Sequence, residues 1–331
     1  MPRPTFAERL GLSNDAISSL EPKHPALRLA LRIGVVLVIV ASIAFAVAKE
    51  AGRIGDVQWR FEPGWLALCV AALVLFQWIH IELWRLTLRL LGGQIEPRRA
   101  RAIWSTTLLA RYVPTSALMA VGRVALAERE GVFKRVTLAS VAYEFAFTVV
   151  SSLGLCVYLL WRLPALDAHE WVRWLATAVV VLGIVALHPA LFHRGADYAF
   201  KRLGRAPLPL SLPFARVVEL TVMYTVSFVV AGVAVLAMAQ ALHGLPASDT
   251  YAAIASYGLG YVAGVIAFVI PGSLGAREAG VALGLSAVLP APVAVAVAIA
   301  VRLLQMGVEV LYAVVMPVLA RRRSRPGSPR A

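Results

Sequence analysis

Eight runs of apolar residues, each bounded by charge or proline, limit what this chain can fold into. They cover roughly 28–48, 64–85, 136–160, 171–192, 215–242, 250–270, 273–290 and 292–320, with a weaker run at 102–121. An α-helix of about 20 residues crosses a bilayer, and most of these runs approach or exceed that. They are rich in Val, Ala and Leu and lack the short alternating strands of a membrane barrel. Backbone in hydrocarbon must satisfy its own hydrogen bonds, which leaves helices as the reasonable choice. The chain therefore reads as an all-α polytopic membrane protein with about 6–8 transmembrane helices.

The polar remainder is small. A cytoplasmic N-terminal tail (1–25), a transmembrane domain (26–320) and a basic cytoplasmic C-terminal tail (321–331) account for the chain. The first 25 residues are polar and hold Pro, Glu and Lys, so the first apolar run reads as a signal anchor, not a cleaved signal peptide. The longest internal connection, 193–214, is too short for a separate catalytic domain.

Composition matters through charge. Only 15% of residues are charged, yet the net charge is +14, from 32 Lys and Arg against 18 Asp and Glu. In a soluble protein that surplus would point to nucleic acid. Here, with the N-terminus in the cytoplasm, stretches 1–32, 85–101, 123–135, 194–216 and 321–331 hold five, five, four, five and five basic residues, 24 in all. The external loops hold five: Lys49, Arg53, Arg60, Arg162 and Arg173. That asymmetry fits the positive-inside rule, with both termini cytoplasmic, and removes any need for a nucleic-acid partner. The surplus also favours anionic headgroups. Arg111, Arg277 and Arg302 are left unassigned by topology. Arg outnumbers Lys 28 to 4 and Ala is abundant, a composition that suggests a GC-rich bacterium and its cytoplasmic (inner) membrane.

Two prolines interrupt the pattern. The apolar stretch before Pro114 is about 11 residues and crosses only about half of a ~30 Å core. Its flanks are basic on both sides, so it reads as a hairpin dipping in from the cytoplasm. The second break, Pro271-Gly272-Ser273-Leu274-Gly275, has no Lys or Arg in either flank (243–249 and 289–293) and looks external. It either dips in from outside or joins two full crossings. Pro removes a backbone donor and Gly lets the chain turn, so Pro114, Pro271, Gly272 and Gly275 are the candidate hinges. Pro114 precedes Glu144 by 30 residues and Pro271 precedes Arg302 by 31. Broken helices in corresponding halves, opening to opposite sides, point to an inverted repeat and a midplane site.

Charges inside the apolar runs cost about 2.5–3.5 kcal/mol each on insertion scales. Glu144 has apolar sequence on both sides, and Arg302, Gln305 and Glu309 share a helix face. A structural reading makes these an internal salt bridge, Glu144 to Arg302 or Arg302 to Glu309. Arg277 and Glu278 stand at an expected helix start after Pro-Gly, where an Arg and a helix N-terminus suit an anion. Arg111 and Arg123 flank the first break and read either as site residues or as interfacial snorkellers. His80, Glu82, Arg85 and Arg89 read as a snorkelling helix end. The eight Trp residues lie mostly at segment ends and read as an aromatic belt. Cys69 and Cys156 both lie in apolar runs, and the six His lack ligand spacing, so no metal or other cofactor is expected.

The segment Pro271-Gly272-Ser273-Leu274-Gly275-Ala276-Arg277-Glu278-Ala279, followed by an apolar helix and Val301-Arg302-Leu303, resembles the late motif of the lysylphosphatidylglycerol synthase transmembrane-region family. That pattern is P-G-G-x-G-x-R-E-A and then a helix carrying an Arg. Tyr112-Val113-Pro114, Gly122-Arg123 and Glu144 resemble its first motif, P-G followed by G-R and then E-R. Thr115 stands where the family usually has Gly, and Phe145 where it usually has Arg, which leaves the partner of Glu144 open. The resemblance covers about residues 26–320. It implies a flippase-like membrane domain, standing alone without the soluble aminoacyltransferase domain of the fused members.

On this reading the chain is a lipid translocase for an anionic or modified phospholipid or a polyprenyl-phosphate-linked glycolipid. Arg277, Arg302 and Arg123 would hold the phosphate, with Arg111 beside them. Glu144, Glu309 and Glu278 would balance the charge or meet a cationic headgroup. One alternative is a non-catalytic partner of a glycosyltransferase or lipid synthase. Another is a membrane-embedded lipid transferase, although no DxD, P-loop or paired external carboxylates are present and no catalytic residue is assigned.

Overall fold

The computed structural model describes residues 60–112, 117–162, 169–186, 212–267 and 275–321, with a few positions between 188 and 195. The N-terminal tail, the apolar run at 28–48, the hinges Pro114, Pro271 and Gly272, and residues 322–331 of the C-terminal tail lie outside the described residues. Nine α-helices make up the described fold, and no strand occurs among the described residues. They are α1 (Pro63–Leu90), α2 (Pro97–Leu108), α3 (Ala117–Arg129), α4 (Lys134–Arg162), α5 (Glu170–Ala186), α6 (Phe214–Leu242), α7 (Thr250–Ile266), α8 (Ala276–Leu285) and α9 (Ala291–Arg321). A 3-10 turn, Leu109–Tyr112, prolongs α2.

Four of these are long and apolar enough to cross a membrane: α1, α4, α6 and α9. Their apolar residues are not confined to one stripe. Leu68 and Leu75 on α1, Val218 and Val222 on α6, and Leu311 and Val314 on α9 face outward, while Leu73, Val235 and Val297 face the core. A helix that is apolar all round needs hydrocarbon outside as well as protein inside. The chain is thus a multi-pass membrane protein.

Both proline breaks fall between short helices. At 1.5 Å per residue, α2 and α3 run about 18 and 20 Å, and α8 runs about 15 Å, half of a ~30 Å core. The apolar run at 273–290 is therefore no crossing; its helix stops at Leu285. Of the two sequence alternatives, the second break forms a hairpin, α7–α8. Glycines let its arms touch. A β-carbon on Gly280 would come within 2.8 Å of the Gly260 Cα and the Leu259 carbonyl, so only small residues permit this approach. Prolines open α1 and α2, where a missing N–H costs nothing. Gly131, at φ +84°, turns α3 into α4, with the Val132 N–H closing on the Ala127 carbonyl at 3.1 Å.

The order of elements repeats: long helix, broken hairpin, long helix, as α1-α2-α3-α4 and again as α6-α7-α8-α9. The packing repeats as well. The lead helix of each repeat, α1 and α6, packs against its counterpart. The first hairpin's α2 lies on α9, and the second hairpin's α7 lies on α4. Each hairpin is thus seated on the long helix of the other repeat, as an approximate two-fold exchange requires. At the centre Phe76 and His80 of α1 meet Tyr224 and Phe228 of α6, with His80 5.4 Å from the Tyr224 ring centroid.

Candidate functional site

In the first repeat, α3 carries Arg123 inward and α4 carries Glu144 toward it. The two form a buried ion pair, with Arg123 only 1% exposed. The Trp104 indole N–H donates to the other Glu144 oxygen at 2.9 Å, and Arg123 Nε donates to Thr107 Oγ1 at 3.4 Å. The guanidinium sits between two indoles, 5.0 Å from the Trp84 ring centroid and 5.3 Å from that of Trp104. A planar, weakly hydrated cation tolerates such a box better than an ammonium would. This decides between two readings of Arg123 and corrects one expectation for the tryptophans. Arg123 is no interfacial snorkeller, and Trp84 and Trp104 leave the aromatic belt for the core, whereas Trp161, Trp171 and Trp174 remain exposed. Phe145, next to Glu144, faces outward at 54% exposure, and Glu144 finds its partner on α3.

The second repeat places the opposite charges in the matching elements. Here the hairpin helix α8 carries the carboxylate, Glu278, and the long helix α9 carries the cation, Arg302. Arg302 Nε lies 3.1 Å from Glu278 Oε1. The other Glu278 oxygen accepts the Gly275 N–H at 2.7 Å, and Gly275 itself stands at φ +83°, a conformation few side chains adopt. The chain's own carboxylate thus caps the start of α8 and takes the place at that terminus where the sequence suggested an anion. Arg277, next along, lies over the Tyr261 ring at 4.7 Å.

A third pair joins the repeats. The turn after α2 brings Arg111 into an ion pair with Glu309 of α9, and the Tyr112 hydroxyl donates to Glu309 at 2.7 Å. Glu309 is wholly buried and also accepts from Gln305 Nε2 at 3.0 Å. The Tyr112 ring meets Arg111 on one side and Arg302 on another, 5.5 and 5.6 Å away. Gln305 in turn accepts from the Tyr257 hydroxyl at 3.4 Å. The salt bridges expected from sequence, Glu144–Arg302 and Arg302–Glu309, are replaced by Arg123–Glu144, Arg302–Glu278 and Arg111–Glu309.

Part of this set borders a narrow cleft between α7, α8 and α9. Tyr257, Tyr261, Arg277, Glu278, Arg302 and Gln305 line it. Each buried Glu has an Arg. Arg277 has no carboxylate partner among the described residues, and the neighbouring break, 268–274, contains no Asp or Glu. His80, read from sequence as part of a snorkelling helix end, is buried against the rings of Phe76, Tyr224 and Phe228, while Glu82 pairs with Arg85 and Arg101 at the helix end. Sequence reasoning missed Tyr257, Tyr261 and the two buried indoles. Tyr257 and Tyr261 lie four apart on α7, a spacing that puts both on one helix face. Among the described residues no cluster of His, Cys, Asp or Glu could hold a metal.

The sequence model of one family, the lysylphosphatidylglycerol synthase TM region, matches residues 29–312. No curated protein matches the chain significantly.

Proposed function

The chain belongs to the lysylphosphatidylglycerol synthase transmembrane-region family, and from that premise we propose that it is a lipid translocase of the bacterial cytoplasmic membrane. Both termini lie in the cytoplasm, the first hairpin opens inward and the second outward. The headgroup of an anionic or modified phospholipid, or of a polyprenyl-phosphate-linked glycolipid, crosses along the seam between the hairpins while its tails stay in lipid. The observation that carries this reading is the buried charge seam itself. Each of three Arg–Glu pairs joins a broken hairpin to α4 or α9, and Arg277 stands on α8 beside one of them. Charges of this kind inside a membrane mark pathways for charged cargo.

Arg277 makes the first contact with the lipid phosphate, held flat by Tyr261. Arg302, shared between Glu278 and the Tyr112 ring, turns to the phosphate next. Glu309 holds Arg111 and Tyr112 as the barrier that closes the far side. The test is reconstitution into liposomes with fluorescent lipid and a membrane-impermeant quencher. Arg277→Ala and Arg302→Ala should each slow flipping by about tenfold or more, the loss of a charge-assisted contact. Unchanged rates in both would return the seam to a purely structural role.

A further inference from the structure

The proposed site has a charge that can be counted. Arg277, Glu278 and Arg302 line the cleft, and their formal charges leave one positive charge over. The groups behind them do not change the count, because Arg111 and Glu309 cancel, as do Arg123 and Glu144. Nothing in the adjoining break adds to it, since residues 268–274 carry no ionisable side chain. The uncharged polar groups do not alter the charge, and their donors are already engaged within the protein: Tyr257 donates to Gln305, Tyr261 to Thr148 and Gln305 to Glu309.

We infer that the cleft selects a headgroup of net charge −1, a phosphodiester, over both zwitterionic and dianionic heads. This rests on the translocase reading for the location of the headgroup and adds the class of head. In a site screened from water, the favoured ligand leaves no net charge behind. A phosphodiester monoanion cancels the charge of Arg277, which has no carboxylate partner among the described residues. A zwitterionic head brings a cation that must face Arg277 and Arg302. A phosphomonoester or pyrophosphate dianion leaves one negative charge uncompensated. The same count says how to move the preference. Glu278→Gln keeps an oxygen that can accept the Gly275 N–H but removes one negative charge, so the cleft becomes +2. The dianion then becomes the matched ligand.

Binding is read from ligand-induced thermal stabilisation of the purified full chain in neutral detergent. The probes are short-chain phosphatidylglycerol, phosphatidylcholine, and phosphatidic acid at alkaline pH, where its head is a dianion. For the unmodified chain, phosphatidylglycerol should bind about tenfold tighter than either of the others. Arg277→Gln should erase that margin, which separates the cleft from general attraction of lipid to the basic helix ends. Glu278→Gln should reverse the order of phosphatidylglycerol and phosphatidic acid. Equal binding of the three lipids by the unmodified chain, which requires no variant to fold, overturns the inference. So does an unchanged preference in Arg277→Gln. Selective binding without flipping in liposomes would sink the translocase reading and leave the charge selection standing; flipping without charge selection would do the opposite.

Discussion

Glu278 binds Arg302 with one carboxylate oxygen, at 3.1 Å, and caps its own helix with the other, at 2.7 Å. Its counterpart in the first repeat is Arg123 with Glu144, with the charges exchanged between hairpin helix and long helix. Removing one member of a buried pair strands the other, at a cost of about 3–5 kcal/mol. Glu278 is 16% exposed at its side chain, so the lower end applies. Glu278→Ala should therefore cost about 3 kcal/mol, because Arg302 loses its anion and α8 loses its cap. Glu278→Gln should cost clearly less, since the amide oxygen can still accept from Gly275. Thermal unfolding in detergent measures both. If the two variants are equally destabilised, the cap contributes nothing.

Arg123 depends on shape as well as charge. Lys in its place could still reach Glu144, but it would lose the flat group between Trp84 and Trp104 and the bond to Thr107. Arg123→Lys should be destabilising by about 1–2 kcal/mol and should shift the fluorescence of the two indoles. A Lys variant as stable as the unmodified chain would mean that the indole box is incidental.

The apolar runs made the helices and the first hairpin legible, because length and polarity follow directly from what hydrocarbon tolerates, but they left the second break open between a hairpin and two crossings. Partners were another matter. Arg302, Gln305 and Glu309 share a face of α9 and so suggest a bond along the helix. Arg302 nevertheless turns to α8, and Glu309 to a turn nearly two hundred positions earlier in the chain. Periodicity fixes which face a residue occupies but not which element will cover that face. Trp84 and Trp104 were misread for the same reason. A position near a segment end looks alike whether headgroups or a returning hairpin lie beside it, and only the placement of α3 puts Arg123 between them.

Two glycines give opposite expectations for one substitution. A β-carbon on Gly280 would press on the Gly260 Cα, the Ala263 Cβ and the Leu259 carbonyl, all at 2.8 Å, and backbone cannot swing aside. Gly280→Ala should thus spread α7 from α8 and cost about 1–3 kcal/mol. Gly154, in the interior of α4, has nothing within 4 Å of a built β-carbon. Gly154→Ala should stabilise by about 0.5–1 kcal/mol, the helix preference of Ala over Gly. Paired unfolding measurements decide it. A neutral Gly280→Ala would show that the hairpin arms stand further apart than described here.

The hairpin also makes a claim about depth. α8 has ten residues, about 15 Å, and α7 has 17, about 25 Å. If the break lay at the opposite surface, both arms would need to approach the ~30 Å of the hydrocarbon core. The shorter arm sets the limit, so the α7 end near Ile266 should lie nearer the bilayer centre than the far headgroups, with α7 tilted to make up its extra length. Ile266 is 77% exposed, so a label there reports its surroundings without disturbing packing. Cys69 and Cys156 are both fully buried and need replacing only if they react. A spin label on Ile266→Cys should collide with oxygen, which concentrates in the bilayer interior, more than with a water-soluble relaxant. A label on Ala247→Cys, at the 3-10 turn that precedes α7, should do the reverse. If the label at position 266 reports water as freely as the one at 247, the second break reaches a surface, and the half-depth hairpin on which the cleft's position depends is wrong.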